Sequence, residues 1–481
     1  MVDLPDARHY VNGEWRSAGA EQIAVENPAT EDELTNIPVA TASVVEDAFD
    51  AAEQAQSEWA SRPGIERATV LREIGAVVEE HADDIAEIIT AEQGKPLASA
   101  RGEVTATADL AEYVAGWGRR LEGDIVPSDN RDEQINLQRH PMGVVAGIIP
   151  WNYPVSVFMR KILPALIAGN ALVVKPSEIT PLSTIRLVEL LDENVSLPSG
   201  LINVVLGSGA VGEQLVTADQ TDMVTMTGSV ETGKAIMRAA ADSLTPVSLE
   251  LGGKAPAIVA ADAHIEDAVN DILTARITNT GQVCTCAERV YVHTDIIEEF
   301  TDQYIEATEA VTVGDPTADE DIGPQVSAAE LQKTDEAVTN AIDAGATVRT
   351  GGSVPDGQQF ETGFWYQPTV LSDVTPDMDV VQQEVFGPVT PIIEVESVSD
   401  AIEQANDSDY GLSSYVYTTD YQTAMNAADD LEYGETYLNR TLGEAWQGHH
   451  IGWKESGLGG DDGKYGVLKY TQLKSVYHDY S

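Results

Sequence analysis

The fold is decided by residues 143–174, in which a strand, a helix and a second strand follow one another. The stretch begins Gly143-Val-Val-Ala-Gly-Ile-Ile149, continues through an apolar helical segment from Val155 to Ala168, and returns to Ala171-Leu-Val-Val174. Nearly continuous apolar strands that alternate with helices are typical of a parallel sheet covered on both faces. The stretch therefore predicts a doubly wound nucleotide-binding architecture.

The same alternation continues on both sides of this stretch. Downstream, the pattern predicts buried strands at 201–206, 223–227 and 257–260, separated by helices at 182–193, 211–217 and 234–241. A second α/β segment then follows, with a helix predicted over 265–280 and strands around 290–292 and 389–393. Upstream, apolar residues at helical spacing predict helices over residues 43–120, and the alternation that ends 124–140 suggests a strand outside the main sheet.

The composition indicates a large enzyme rather than a nucleic-acid-binding or membrane protein. The chain has 481 residues, of which 43% are apolar, without any apolar run near the length of a membrane span. Its 27 basic and 80 acidic residues give a net charge of −53, which disfavours nucleic acids and anionic membranes and is best explained by adaptation to high salt. Two cysteines and an acidic N-terminus lead us to expect a reducing, cytoplasmic compartment.

Two glycine-containing turns are candidates for a phosphate site. Gly207-Ser-Gly-Ala-Val-Gly212 follows a predicted strand but lacks an acidic residue at the end of the next strand, so we interpret it as a structural turn near an adenine. Thr227-Gly228-Ser229-Val-Glu-Thr-Gly233-Lys234 joins a strand to a helix, with Ser229 as the expected N-cap. Free N–H groups at such a helix start favour an anion, although an ordinary capped helix is the alternative interpretation.

Lys175-Pro-Ser177-Glu178 ends another predicted strand, at the edge where open α/β sheets bind ligands. A carboxylate at Glu178 can accept both hydroxyls of a ribose and would repel a 2′-phosphate. This segment therefore favours NAD over NADP as the cofactor. A solvated surface pair of Lys175 and Glu178 is the alternative.

Four motifs carry the strongest functional signal. They are Pro150-Trp-Asn-Tyr-Pro154, Leu249-Glu-Leu-Gly-Gly-Lys254, Asn279-Thr-Gly-Gln-Val-Cys-Thr-Cys-Ala287 and Glu384-Val-Phe-Gly-Pro388. In this order and spacing they resemble the NAD(P)-dependent aldehyde dehydrogenase superfamily over nearly the whole chain. Within it, the segments 282–292 and 433–457 look most like those of lactaldehyde and glycolaldehyde dehydrogenases.

The resemblance implies an α/β protein with a doubly wound parallel-sheet cofactor domain, an α/β catalytic domain and a small β oligomerisation segment. We expect the NAD-binding domain in residues 1–121 and 141–250, the catalytic domain in 251–455 and the oligomerisation segment in 122–140 and 466–481. A homodimer or homotetramer is the expected assembly.

The resemblance also assigns catalytic roles to Cys284, Asn152 and Glu250. A thiol becomes a strong nucleophile once it is ionised, and Cys284 would add to an aldehyde to form a thiohemiacetal. The Asn152 amide and the Cys284 backbone N–H would stabilise the oxyanion. Glu250 would activate the water that hydrolyses the thioester left after hydride transfer to NAD.

For the cofactor, the resemblance and the strand-end positions together predict one set of residues. The set is Ile149, Pro150, Trp151, Lys175, Ser177, Glu178, Gly228, Ser229, Gly233, Leu251, Glu384 and Phe386. In it, Glu384 is expected to hold the nicotinamide-side ribose, and Lys175 and Glu178 the adenosine ribose.

For the substrate, the resemblance predicts contacts from Arg160, Thr285, Glu444 and His450 with a small hydroxyaldehyde. The chain departs from the lactaldehyde-type pattern at Thr285, where Asn is expected, and at His449, which replaces an aromatic residue. Arg160 could instead be a helix-surface or interface charge, and His450 a satisfied loop histidine.

Several alternatives to a hydroxyaldehyde dehydrogenase remain open at this stage. Arg160 could pair with the distal carboxylate of 2-oxoglutarate semialdehyde or succinate semialdehyde. A CoA-acylating relative would not need a deacylating base such as Glu250. A homologue that has lost its activity and serves a structural or binding role would not need an intact site. A hydrolase with a Cys–His pair would leave the nucleotide-binding sheet unexplained. We interpret Cys286 as a small buried packing residue, and expect no metal because the histidines form no spaced partner motif with the cysteines.

Overall fold

The computed structural model describes residues 2–318 and 320–481. Its helices, in chain order, are α1 (Ala42–Ser61), α2 (Gly64–Glu80), α3 (Ala82–Gln93), α4 (Leu97–Ala115), α5 (Pro154–Ala168), α6 (Leu182–Asn194), α7 (Gly209–Thr217), α8 (Val230–Ala241), α9 (Ile265–Ile277), α10 (Ile297–Glu309), α11 (Ala328–Asp343), α12 (Asp379–Gln382), α13 (Val398–Asn406), α14 (Tyr421–Asp430) and α15 (Gly463–Leu468).

The strands fall into two main sheets and three small ones. Up to residue 250 they are β1 (His9–Val11), β2 (Glu14–Arg16), β3 (Gln22–Glu26), β4 (Glu33–Pro38), β5 (Asp124–Val126), β6 (Glu133–Pro141), β7 (Val144–Ile148), β8 (Ala171–Lys175), β9 (Ile202–Val204), β10 (Met223–Thr227) and β11 (Val247–Glu250). Beyond it they are β12 (Ala255–Val259), β13 (Ala287–His293), β14 (Thr347–Thr350), β15 (Thr369–Ser372), β16 (Val389–Val395), β17 (Tyr410–Gly411), β18 (Ser413–Tyr417), β19 (Glu435–Leu438), β20 (Trp453–Lys454), β21 (Gly457–Leu458) and β22 (Thr471–Asp479).

The first main sheet is doubly wound, as residues 143–174 predicted. Its strand order is β2-β1-β9-β8-β7-β10-β11-β21, and the five strands from β9 to β11 run parallel. Every residue of β8 is buried, which is why the sequence shows no polar alternation there. The winding reverses between β7 and β10, so the chain segments that follow these two strands lead in opposite directions and leave a crevice.

The second main sheet has the order β14-β15-β16-β13-β12-β18-β19, and all its neighbours except β14 and β15 are parallel. The prediction that residues 257–260 continue the first series of strands was wrong, because β12 lies in this second sheet. The place beside β10 is taken by β11, which the pattern did not show as a strand. A short apolar strand can pair in either parallel sheet, and only the tertiary packing decides which.

The chain crosses from one sheet to the other through Leu251-Gly252-Gly253-Lys254. A Cβ added at Gly253 would lie 2.2 Å from the Cys284 carbonyl oxygen, so only glycine lets these two segments touch. The crossing brings the end of β11 against the segment that precedes β13.

The helices that the spacing predicted over 43–120 are α1 to α4; α1 packs on the strands of the first sheet, and α2 to α4 form an outer layer on α5 and α6. Two buried glutamates of this layer bind the starts of helices far along the chain. Glu92 accepts the backbone N–H groups of Leu182 and Ser183 at 2.6 and 2.9 Å, and Glu103 accepts those of Val155 and Ser156 at 3.1 and 3.0 Å. The carboxylates thereby satisfy N–H groups that a helix start leaves unpaired.

The strand predicted within 124–140 is confirmed and lies outside both main sheets. β6 pairs antiparallel with β5 and with the C-terminal β22, and Ile125, Leu473 and Tyr477 on this small sheet are exposed. Within the part of the chain that the structure describes, no helix has the length and apolar character needed to cross a membrane.

Candidate active site

A cleft opens at the point where the winding of the first sheet reverses. Residues that follow β7 and β10 form one wall, and residues of the second sheet's loops form the other. The lining residues are Pro150, Trp151, Asn152, Thr227, Gly228, Ser229, Leu251, Gly252, Cys284, Glu330, Lys333, Glu384 and Phe386. The cleft therefore brings together side chains from all four motifs that the sequence singled out.

Cys284 lies in this cleft, at the end of a constrained loop. Asn279 and Thr280 have φ values of 50° and 58°, in the left-handed region that a β-branched threonine seldom adopts. Cys284 is half-buried, whereas Cys286 is fully buried, and burial raises the pKa of the Cys286 thiol to about 12. Cys286 is thus a packing residue, as predicted, and Cys284 is the thiol that faces the cleft.

Asn152 is held beside the Cys284 loop by three hydrogen bonds. Its side-chain Nδ2 donates to the backbone carbonyl of Gln282 at 2.9 Å. The backbone carbonyl of Asn152 accepts from Lys95 Nζ at 3.0 Å and from Asn279 Nδ2 at 3.1 Å. Lys95 is fully buried and forms an ion pair of 2.5 Å with Glu103. The amide can therefore present its second hydrogen to an oxygen bound next to Cys284.

Glu250, the last residue of β11, is a buried carboxylate whose oxygens accept no hydrogen bond from the described residues. Burial is the main reason that its pKa is raised to about 7, and Asp461 raises it further, while His450, Lys161 and Lys469 oppose this. A carboxyl group that exchanges its proton near neutrality is suited to general base catalysis.

Behind Glu250 lie two lysines that the sequence analysis missed, the buried Lys161 and the partly buried Lys469. Asp461 accepts from Lys161 Nζ at 2.6 Å and from Lys469 Nζ at 2.5 Å. Lys161 is fully buried in α5, whose other residues are apolar apart from Ser156 and Arg160. A charged residue within an apolar helical run is the signal that could have drawn attention to it.

Arg160, one of the predicted substrate residues, is shared between two carboxylates. Its Nη2 lies 3.1 Å from Glu444 and 3.1 Å from Asp462, and its guanidinium stacks over the Trp446 ring at 5.1 Å. Although burial opposes it, Arg160 holds the pKa of Glu444 at about 2. Burial raises the pKa of Asp462 to about 6 in spite of Arg160.

His450 lies near Glu250 and Glu435. Its Nδ1 is 3.2 Å from Glu435 Oε1, and its Nε2 is 4.0 Å from Glu250 Oε2. Thr285 is buried next to Cys284, and its carbonyl accepts a hydrogen bond from the Tyr415 hydroxyl at 2.5 Å. Glu435 was not predicted, because nothing local in the sequence connects it with a histidine 15 residues further on.

On the cofactor side, a groove of about 460 Å³ runs between α7 and α8. Lys175 lines it and pairs with Glu178 at 3.0 Å, while Ser177 accepts the Ile179 N–H in a local turn. Ser229 caps α8, as predicted, by accepting the Thr232 N–H at 3.2 Å. A Cβ added at Gly233 would lie 2.7 Å from Leu251, so that glycine allows α8 to approach the end of β11.

At the other end of the cleft, Glu384 accepts the Gly253 N–H at 2.8 Å, and burial raises its pKa to about 7. Trp151 and Phe386 meet edge to face at 5.3 Å across the cleft. Ile149 is buried and donates its N–H to the Lys175 carbonyl, which joins the two strand ends. A dinucleotide fits this arrangement, because the groove between α7 and α8 and the cleft at Cys284 meet at one switch point.

Comparison with known proteins identifies the family. The aldehyde dehydrogenase family profile matches residues 15–476. The chain belongs to the aldehyde dehydrogenase family. It is therefore an oxidoreductase that acts on aldehydes with NAD(P). Among the described residues of this aldehyde dehydrogenase, no group of three or more His, Cys, Asp or Glu side chains could hold a metal ion.

Two relatives and one solved structure show how similar this aldehyde dehydrogenase is to others. It is 46% identical to a lactaldehyde dehydrogenase of Escherichia coli K12, over 97% of this chain and 98% of that protein. It is 45% identical to a 3,6-anhydro-α-L-galactose dehydrogenase of Streptomyces coelicolor, over 97% and 95% of the two chains. A solved lactaldehyde dehydrogenase superposes with a TM-score of 0.96 at 45% identity, over 98% and 99% of the chains.

Proposed function

We propose that this aldehyde dehydrogenase oxidises a small hydroxyaldehyde, lactaldehyde or glycolaldehyde, to the carboxylate with NAD. The observation that carries the proposal is the arrangement around Arg160, which is already bound by Glu444 and Asp462. The similarity to lactaldehyde dehydrogenase supports it.

Charge distinguishes this substrate class from the semialdehydes. Arg160 pairs with Glu444, and His450 pairs with Glu435, so the positive charge of each is already balanced without the distal carboxylate of a semialdehyde. Asp462 and Glu250 are two further acidic groups in this cluster. Burial raises the pKa of Asp462 to about 6 and that of Glu250 to about 7. A neutral hydroxyl can exchange hydrogen bonds with this cluster without adding negative charge.

The chemistry of the proposed reaction follows from three residues. The Cys284 thiolate adds to the aldehyde carbon, and the carbonyl electron pair moves to the oxygen. The Asn152 amide and the Cys284 backbone N–H then donate to that oxygen. NAD, when bound, would accept the hydride that leaves the Cys284-bound carbon as the thioester forms, and the residues that would hold it are those that line the cleft and the groove between α7 and α8. Glu250 takes a proton from the water that hydrolyses the Cys284 thioester.

The preference for NAD over NADP is part of the proposal. Lys175 is neutralised by Glu178 and also donates to the Gly207 carbonyl at 2.8 Å, which leaves little positive charge for a 2′-phosphate. The partly exposed carboxylate of Glu178 would repel such a phosphate.

We also propose that the protein works as a homodimer or homotetramer in a reducing, cytoplasmic compartment at high salt. The exposed apolar side chains of the small sheet formed by β5, β6 and β22 support self-association, and the reactive Cys284 supports a reducing compartment. Light scattering in molar KCl measures the stoichiometry, and a monomer under those conditions would rule out the assembly.

A substrate panel in molar KCl tests the hydroxyaldehyde proposal. We expect lactaldehyde to exceed propanal by roughly 10- to 100-fold in kcat/KM, because propanal leaves buried polar groups at Arg160 and His450 unpaired. Arg160→Ala should narrow this gap, while Arg72→Ala, which breaks an exposed pair with Glu112, should not. If propanal equals lactaldehyde while 2-oxoglutarate semialdehyde exceeds both, the substrate is a semialdehyde.

A further inference from the structure

We propose that Glu288 is a positioning residue for the cofactor, because its buried carboxylate fixes the two backbone segments that hold Glu384 in the cleft. The proposal rests on the role predicted for Glu384, which is to hold the nicotinamide-side ribose, and not on the identity of the aldehyde. Glu288 lies in β13, directly after the motif that contains Cys284.

The first of these segments is the backbone turn that follows Glu384. Glu288 Oε2 accepts the Val385 N–H at 3.0 Å, and its Oε1 accepts the Phe386 N–H at 3.1 Å. Phe386 has a φ of 58°, in the left-handed region that large side chains seldom adopt. Two hydrogen bonds to one carboxylate therefore stabilise a strained turn next to Glu384.

The second segment is the crossing between the two main sheets. Its last residue, Lys254, donates to Glu288 Oε2 at 2.6 Å. The neighbouring Gly253 N–H donates to Glu384 Oε1 at 2.8 Å. A Cβ added at Gly252 would lie 2.6 Å from Glu384 Oε2, so the Glu384 side chain packs directly on this crossing. Glu288 therefore holds both the turn beside Glu384 and the segment that the Glu384 carboxylate contacts.

A second buried cation, Arg276 of α9, completes the cluster. Its Nη1 lies 3.2 Å from Glu288 Oε1. Its Nη2 donates to the backbone carbonyls of Gly281 and Gly387. Although burial opposes it, Lys254 and Arg276 hold the pKa of Glu288 at about 2, so the carboxylate is ionised at neutral pH. The hydrogen bonds that it accepts from the turn are therefore charge-assisted.

The consequence for the cofactor concerns the place of one carboxylate. Ribose hydroxyls bind well only to oxygens at fixed hydrogen-bonding distances, so a shift of Glu384 weakens the contact without removing it. Glu288→Gln keeps the size of the side chain but replaces one acceptor oxygen by an NH₂ group, which cannot accept from Lys254 or from the turn. We expect the turn to move away from residue 288 in this variant, and Glu384 to move with it.

Calorimetric titration with NAD and with ADP in molar KCl measures this effect without any aldehyde. Both ligands contain adenosine diphosphate, but only NAD carries the nicotinamide ribose. We expect Glu288→Gln to raise the Kd of NAD roughly 5-fold and to leave the Kd of ADP within about 2-fold of the parent. Glu394→Gln removes an exposed carboxylate of the same sheet and is the matched control, with no change expected in either Kd.

A double variant tests whether Glu288 acts through Glu384. Glu384→Gln should raise the Kd of NAD roughly 10-fold, and the addition of Glu288→Gln should raise it by less than about 2-fold more. If Glu384→Gln weakens NAD binding but Glu288→Gln does not, or if the two losses add in full, the proposal is overturned. If Glu384→Gln leaves NAD binding unchanged, the role predicted for Glu384 is wrong and the proposal is overturned with it.

The ADP titration separates positioning from a purely structural role. If Glu288→Gln raises the Kd of NAD and of ADP equally, the cluster only supports the fold and the proposal is overturned. If Glu288→Gln does not fold, Lys254→Met takes its place, because it frees the crossing while Arg276 and the turn stay bound to Glu288. We then expect the Kd of NAD to rise roughly 3-fold with that of ADP unchanged, and the absence of a selective rise overturns the proposal. Failure of the substrate panel affects none of these outcomes.

Discussion

Replacement of Glu250 by glutamine should separate the two halves of the reaction. The substitution keeps the size of a buried side chain whose oxygens accept no hydrogen bond from the described residues, so the fold should tolerate it. It removes the only carboxylate among the three predicted catalytic residues. General base catalysis typically increases the rate of the step that it assists by about 100- to 10,000-fold. We therefore expect steady-state turnover to fall by that factor, while at least a partial single-turnover burst of NADH remains.

The pH dependence of steady-state turnover gives a second quantitative test of Glu250. With a pKa of about 7, set mainly by burial, the ionised fraction of Glu250 rises from about one-tenth at pH 6 to about nine-tenths at pH 8. Because the base acts in its ionised form, steady-state turnover should increase about 10-fold over this range in the parent enzyme. In Glu250→Gln this acid limb should disappear.

Stopped-flow recording of NADH absorbance measures burst and steady state together, in molar KCl between pH 6 and 8. The thermal midpoint of the variant checks that the fold is retained. Turnover that is unchanged in Glu250→Gln, or an acid limb that persists in it, would remove Glu250 from thioester hydrolysis.

Three further predictions concern the nucleophile, the cofactor and the surface. Cys284→Ser should abolish aldehyde oxidation but leave NAD binding intact, because a serine alkoxide is hard to generate at neutral pH, whereas Cys286→Ser should have only a mild effect on oxidation. NADH assays measure the oxidation and equilibrium binding measures the affinity for NAD. If Cys286→Ser were the more damaging substitution, the nucleophile would have to be reassigned. NAD should exceed NADP in kcat/KM because Glu178 repels a 2′-phosphate, and equal values for the two cofactors would contradict that role. The net charge of −53 should make activity and the thermal midpoint fall on dialysis into millimolar buffer, where surface charges repel each other at long range, and full retention would contradict adaptation to salt.

Local pattern was sufficient to predict the central sheet. The apolar runs of β7 and β8 and the amphipathic helices between strands are features of contiguous residues, and the structure confirms them. The N-cap at Ser229 was predictable for the same reason, since it depends on four consecutive residues. The sheet to which 257–260 belongs was not predictable, because strand partners are chosen by tertiary packing.

The wider surroundings of the site are the part that the sequence could not supply. Lys161 and Asp461 are 300 residues apart, and no periodicity connects them. Motifs identify Glu250 and Cys284 by type and spacing, but the charges that surround Glu250 come from Lys161 in α5 and from the C-terminal segment with His450, Asp461 and Lys469, both far from Glu250 along the chain. The assigned roles of the site residues and the domain limits stay predictions.

The long-range caps made by Glu92 and Glu103 have a consequence for folding. Each carboxylate binds N–H groups in the first turn of a distant helix, 90 residues further along the chain for Glu92 and 52 for Glu103. Neither α5 nor α6 can therefore reach its full stability before the N-terminal helices have docked. Because α5 also carries Arg160 and Lys161, the substrate end of the site should form late, and amide exchange there should follow the opening of α3 and α4 as one cooperative unit.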